Sequence, residues 1–259
     1  FWQMYDNVVP LILSNTFRLN ETWSGAIMAA DNILALFLLP LFGSLSDKVN
    51  TRFGRRTPFI VVGTTVAAVA LVALSFVDAA QLQNISKVST IDDPAALEII
   101  YDTQGDKTLL TPEGDTVVLQ DAFTKEEFVS IRCKIIDPTS GKTITNPDYT
   151  NYVAPARQAY AAARTAENAL PLILFICLLL VVLVAMATFR SPAVALMPDV
   201  TIKPLRSKAN AVINLMGTAG GILVLVLGMV FSTSAVQNAL MSYTVYYSII
   251  AGIMITALI

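Results

Sequence analysis

Histidine is missing from this 259-residue chain, and only two cysteines occur, Cys133 and Cys177. Without an imidazole, any proton chemistry near neutral pH falls to carboxylates. The cysteines lie in segments of opposite character, Cys133 in a polar stretch and Cys177 in an apolar one, so no disulfide framework is implied. No metal-ligand spacing, nucleophilic triad or nucleic-acid patch is present, and the chain does not read as an enzyme. Charge is scarce too: charged residues make up 14% of the chain and mean hydropathy is +0.63, where a soluble domain carries about 25% charged residues. That deficit predicts a membrane protein.

The charge present is unevenly placed. Residues 79–165 hold twelve acids and eight bases, and the remainder holds seven acids and nine bases. A spanning helix needs about 20 mostly apolar residues. Five runs approach or meet that length: Thr22 to Leu45, Pro58 to Val77, Ala169 to Phe189, Ala209 to Phe231 and Tyr243 to Ile259, with Phe1 to Phe17 reading as the tail of another. Six transmembrane helices follow. Eight of the nine bases outside residues 79–165 fall at Lys48 to Arg56 or Arg190 to Lys208, which puts both loops on the cytoplasmic side of a cell membrane. Residues 79–165 and the loop "STSAVQNALMSY" are then extracellular, and Arg18 is the one base against the rule. The chain opens without a methionine or a basic leader and stops inside an apolar run, so it reads as part of a longer protein.

Three segments are expected: helices 1–3 over 1–78, an insert over 79–165, and helices 4–6 over 166–259. Within the insert, "TVVLQ" and "SIRCKIID" read as strands, "TPEGD" and "DPTSGKT" as turns, and "TKEEF" as a capped helical turn. The expectation is an all-α membrane protein with a small β-rich extracellular insert. From Pro155, "PARQAYAAARTAENALPLILF" has high helix propensity, which predicts a fourth membrane helix protruding outward as a stalk.

Between the second and third apolar runs stands "GSLSDKVNTRFGRRTPFI", Gly43 to Ile60. An acid, Asp47, and the bases Lys48, Arg55 and Arg56 are held at one membrane edge, with Pro58 suited to the first turn of the next helix. Such a cluster closes favourably only while its charges are paired, so it reads as a conformational latch. Plain positive-inside topology accounts for the bases but for neither the glycines nor Asp47.

This stretch resembles the loop between the second and third helices of the major facilitator superfamily: Gly, three residues, Asp, a base, then a Gly-Arg-Arg end. The longer "PLFGSLSDKVNTRFGRRTPFI" is similar to the sucrose and maltose proton symporters of the glycoside-pentoside-hexuronide group. "ALMPDVT" (Ala195 to Thr201) resembles the end of their fourth helix and "RSKANAVINLMGTAGGI" the start of their fifth. The resemblance implies twelve helices in two halves around a central cavity, with this chain as the first half and the C-terminal six-helix half absent from it. It has no counterpart for the insert. Two acids that sodium-coupled relatives carry before a second-helix proline are replaced here by Ala35 and Leu39, which disfavours sodium. The arginine expected before the fourth-helix Asp is replaced by Val194; Arg190, one turn away on the same face, either takes over its role or is an anchor at the inner edge.

An ionisable group near the bilayer centre costs at least about 2.5 kcal/mol. Asp6 and Asp31 lie at that depth and are the candidate proton-coupling acids, with the proton as coupling ion and no cofactor. Sugar sites need hydrogen-bonding groups and an aromatic face. Trp2, Gln3, Tyr5, Asn7, Asn210 and Asn214, with Arg190, fit that need; interfacial belts and helix bridging are the competing uses of these residues. Gating residues are Gly43, Asp47, Lys48, Arg55 and Arg56, with Asp199 and Arg206 flanking the second inner loop. The expected function is proton-coupled symport of a sugar or glycoside in the lipid bilayer. A proton-antiport exporter of drugs or metabolites is one alternative, and a receptor or binding protein acting through the insert is another.

Overall fold

A computed structural model describes residues 1–19, 21–88, 90–112, 114–137, 141–231 and 242–258. Of the expected loop over 232–243, residues 232–241 lie outside the described residues. Helix α1 (Trp2–Leu11) contains Pro10 and continues as a π-helical turn, Ile12–Thr16. Pro10 lacks the N–H that would bond the carbonyl one turn back, a defect that a local π adjustment absorbs. Helix α2 covers Glu21–Lys48 and α3 covers Thr57–Asn84. At 28 residues α3 is about 42 Å long, more than a hydrocarbon core of about 30 Å needs. Its last turns pass unbroken into the insert, so no structural boundary falls at residue 79.

The insert is mainly helical, which corrects the β-rich expectation. After a 3-10 turn at Ser86–Val88 come α4 (Pro94–Gln104), strands β1 (Thr108–Leu110) and β2 (Thr116–Val118), α5 (Leu119–Ala122) and α6 (Lys125–Ser130). Strands β3 (Lys134–Ile136) and β4 (Thr143–Thr145) lead to a π turn, Tyr149–Val153, and to α7 (Ala154–Glu167). The four strands form two separate antiparallel hairpins, β1 with β2 and β3 with β4. "TVVLQ" is strand only to Val118, after which Leu119 and Gln120 enter α5. "TKEEF" forms the capped turn expected, with Thr124 and Glu127 in a reciprocal capping box. The insert has its own core, in which Ile100, Leu119, Phe128 and Val153 are fully buried and Cys133 and Tyr149 nearly so.

The stalk is not continuous with the fourth membrane helix. Helix α7 stops at Glu167, Asn168 takes an extended conformation, and α8 starts afresh at Leu170. Asn168 Oδ1 accepts from the Leu170 amide, and Pro171 occupies the first turn of α8. A proline favours a helix start over a helix interior. Helix α8 runs to Val200, and after a 3-10 turn at Lys203–Leu205 come α9 (Arg206–Phe231) and α10 (Thr244–Leu258).

Among the described residues the apolar helices stand in the expected order. Four have the length and hydropathy to cross a membrane, Thr22–Lys48, Thr57–Asn84, Leu170–Val200 and Lys203–Phe231, while Thr244–Leu258 is shorter. The bundle core joins α1 and its π turn to α3, α8 and α10, with Phe17 and Phe175 rings 5.0 Å apart. Helix α3 packs most extensively on α8. Gly63 permits this: a Cβ there would lie 2.8 Å from the Ala185 carbonyl oxygen and 2.9 Å from Phe189 Cβ. Helices α2 and α9 flank the core and leave Leu36, Phe37, Leu215 and Met229 exposed.

Candidate functional site

Polar chemistry in the bundle falls in three places. The first is the loop end, between α2 and α3. Gly54 sits at φ +98°, a left-handed conformation that glycine adopts without penalty, and there the Gly54 amide and the Thr51 hydroxyl close a tight turn. The turn brings Arg56 to the start of α3. Its Nη2 pairs with Asp47 Oδ1 at 3.1 Å and its Nε donates to Asp199 Oδ2 at the end of α8. One guanidinium thus ties α2, α3 and α8 together. Gly43 lies against α8, where a Cβ would come within 2.8 Å of Ser191 Oγ.

The other expected gating residues are placed differently. Lys48 and Arg55 form no ion pair among the described residues. Arg206 donates to the carbonyls of Pro198 and Thr201 and so caps the end of α8 instead of joining the acids. Its position just past the helix explains this, since unsatisfied C-terminal carbonyls attract a cation.

The second place is a cavity of about 430 Å³ lined by Trp2, Tyr5, Asp6, Met28, Ala29, Asp31, Asn32 and Arg190, drawn from α1, α2 and α8. The Arg190 guanidinium stands 4.8 Å from the Trp2 ring centroid, a cation–π contact. Asp31 lies within Coulombic reach of Arg190 and Asp6. Arg190 therefore faces the acids in the cavity and is not held at the loop end. Tyr5 is buried, and its hydroxyl donates to the Met28 carbonyl at 3.4 Å, bridging α1 to α2.

A neighbouring cavity of about 590 Å³ lies between α1 and α9 and is lined by Gln3, Asn214, Gly217 and Thr218 among others. Asn7 is exposed and donates to the Gln3 carbonyl on its own helix at 2.6 Å. Asn210 is exposed on α9 and lines neither cavity.

The third place was not foreseen. Asp78, at the insert end of α3, is 0% exposed, and neither of its oxygens has a hydrogen-bond partner among the described residues. The Tyr243 backbone and the Thr16 hydroxyl lie close enough to favour the carboxylate, although neither reaches the geometry of a full hydrogen bond. In the sequence it reads as the last residue before a polar stretch, and only the packing of the π turn and α10 encloses it.

Residues 2–82 match the family model described as MFS/sugar transport protein. Over 61 residues the chain is 33% identical to Sucrose transport protein SUC3 of Arabidopsis thaliana, a match covering 24% of this chain and 10% of that protein. The matched segment thus spans a small part of that relative's length. No solved structure matches. The resemblance carried by the Gly43 to Ile60 loop is shown over the segment that contains it, and it is a resemblance to sugar-transport proteins of the major facilitator type.

Proposed function

We propose, from the match of residues 2–82 to a sugar-transport family, that this chain is half of a proton-coupled sugar or glycoside symporter working by alternating access. One observation carries the coupling: two carboxylates, Asp6 and Asp31, share a cavity with one guanidinium, Arg190. With both acids ionised the three groups sum to one negative charge. Binding a single proton makes them neutral, which removes most of the penalty of occluding the cavity inside a bilayer. A neutral sugar then travels with the proton, its hydroxyls taken by Asn32 and the carboxylates and its apolar face by Trp2. Release of the proton on the other side restores the charge and favours reopening.

In this reading the Arg56 seam is the cytoplasmic latch, residues 79–165 lie outside the cell, and a second six-helix half covers the exposed faces of α2 and α9. The proton is the coupling ion and no other cofactor is invoked. The cavity's single negative charge and its indole also suit a hydrophobic cation, which favours a proton-antiport exporter as the second reading.

The test is uptake of a labelled sugar panel by vesicles holding the full-length protein, with and without an inward proton gradient. Accumulation of one sugar that collapses without the gradient, and in Asp6→Asn or Asp31→Asn, is expected. Folded, oriented protein that takes up no sugar but expels a lipophilic cation would establish the exporter. Binding by the insert without any transport would establish a receptor.

A further inference from the structure

We propose that Asp78 is a proton-binding site that locks the insert end of the bundle, closed while its carboxyl carries a proton and released when the proton leaves. The site lies apart from the central cavity and belongs to neither transport reading. It is assembled from three elements far apart in sequence: Thr16 from the π turn after α1, Asp78 from α3, and Tyr247 from α10. All three residues are 0% exposed, and the Thr16 hydroxyl, the Tyr247 hydroxyl and both Asp78 oxygens lack hydrogen-bond partners among the described residues.

A carboxylate held in this way has only marginal contacts from the Tyr243 backbone and the Thr16 hydroxyl in place of the water it lost. Among the described residues, the groups that face it offer no countercharge. From α10 they are Tyr243 and Tyr247, both neutral phenols that feel its charge. From the π turn it is Thr16, and Arg18 beyond it donates to the Ser14 carbonyl on the same turn. The first turns of α8, "LPLILFICLLL", bring no charged side chain. Toward the insert, Gln81 is already bonded to Thr165. No ion pair among the described residues includes Asp78.

With a proton the carboxyl becomes a neutral donor and acceptor, and the closed seam holds no buried charge. Without it, α10 parts from α3 and the π turn, and water reaches the carboxylate. One proton bound in the closed state and absent from the open one makes opening rise by up to about tenfold per pH unit.

Hydrogen exchange of residues 12–19 and 243–250 in the full-length protein in bilayers, between about pH 5 and about pH 8 and corrected for intrinsic rates, reads this slope. Protection lost toward alkaline pH in the wild type, and retained across the range in Asp78→Asn, is the expected result. Infrared spectra of the native chain labelled at aspartate carboxyl carbons give a second readout, a protonated-carboxyl band that fades as protection falls. A flat wild-type profile, an unchanged slope in Asp78→Asn, or a protected seam without that band at acidic pH would each overturn the proposal. If Asp78→Asn does not fold, the band and the wild-type slope decide. No step requires transport, so a failure of the symport reading leaves this result standing.

Discussion

The two ends of the bundle handle charge in opposite ways. At the loop end Arg56 is shared by Asp47 and Asp199, whose side chains are 63% and 52% exposed. At the insert end Asp78 is sealed from water and joins no ion pair among the described residues. Exposed pairs form and break with little change in hydration, so they suit repeated opening and are weakened by salt. A sealed carboxyl is indifferent to salt and responds to pH. Both ends are fastened to α3, which runs between them and packs along α8.

Breaking that shared spine tests whether the ends are separable at all. Gly63→Val is expected to cost on the order of 3 kcal/mol, because its Cβ meets the Ala185 backbone carbonyl, which cannot turn aside. Thermal unfolding in detergent should show the loss, and both ends should loosen together.

Arg56→Gln acts on the loop end alone and is expected to cost about 1 kcal/mol. In the symport reading, a closed state weakened by that amount lowers transport by roughly fivefold, and salt dependence of loop-end opening should vanish. Asp47→Asn should do less, since Asp199 still holds the guanidinium. An Asp47→Asn effect as large as that of Arg56→Gln would show that the two acids do not share the load.

The contrast between the ends was half legible in the sequence. The loop end is written locally: glycine, acid and bases stand within a few residues, and a turn is enough to bring them together. Asp78 is not, because the sequence gives its height in the membrane but not the direction it faces. Helix α3 is apolar all round, so no polar face marks which side is buried, and Thr16 and Tyr247 are distant in the chain. Arg190 is ambiguous in the sequence for the same reason, since the azimuth of α8 decides which groups it faces, and in the fold it lines the cavity with Asp6 and Asp31. In the insert the strand signals of "TVVLQ" and "SIRCKIID" do mark β2 and β3, but helices α4 and α7 outweigh them. "DDPAALEII" held the opposing signal, Asp93 capping α4 with Pro94 behind it, a pattern that marks a helix start.

The surface of the insert shows a third treatment of charge, in water. Glu127 sits below the ordinary carboxylate range because the Thr124 amide and hydroxyl donate to it. A carboxyl shifted downward on folding lends stability above its unfolded range, and that contribution is lost as pH falls through the folded value. Thr124→Ala removes the cap at a cost of about 1 kcal/mol. Acid unfolding of the insert, followed by its own hydrogen exchange, should then become shallower, while protection at the Asp78 seam keeps its opposite sign, gaining as pH falls.

The smallest effect is expected where a close approach meets a movable group. A Cβ on Gly43 would fall 2.8 Å from Ser191 Oγ but 4.0 Å from Ser191 Cβ, so rotation of one hydroxyl relieves the contact. Gly43→Ala should therefore cost less than about 1 kcal/mol, and adding Ser191→Ala should erase even that. Should Gly43→Ala rival Gly63→Val, and Ser191→Ala fail to rescue it, α2 would be packed on α8 as rigidly as α3 is. The loop end would then be a fixed joint braced by ion pairs, and the movable seam of this bundle would be the one closed by Asp78.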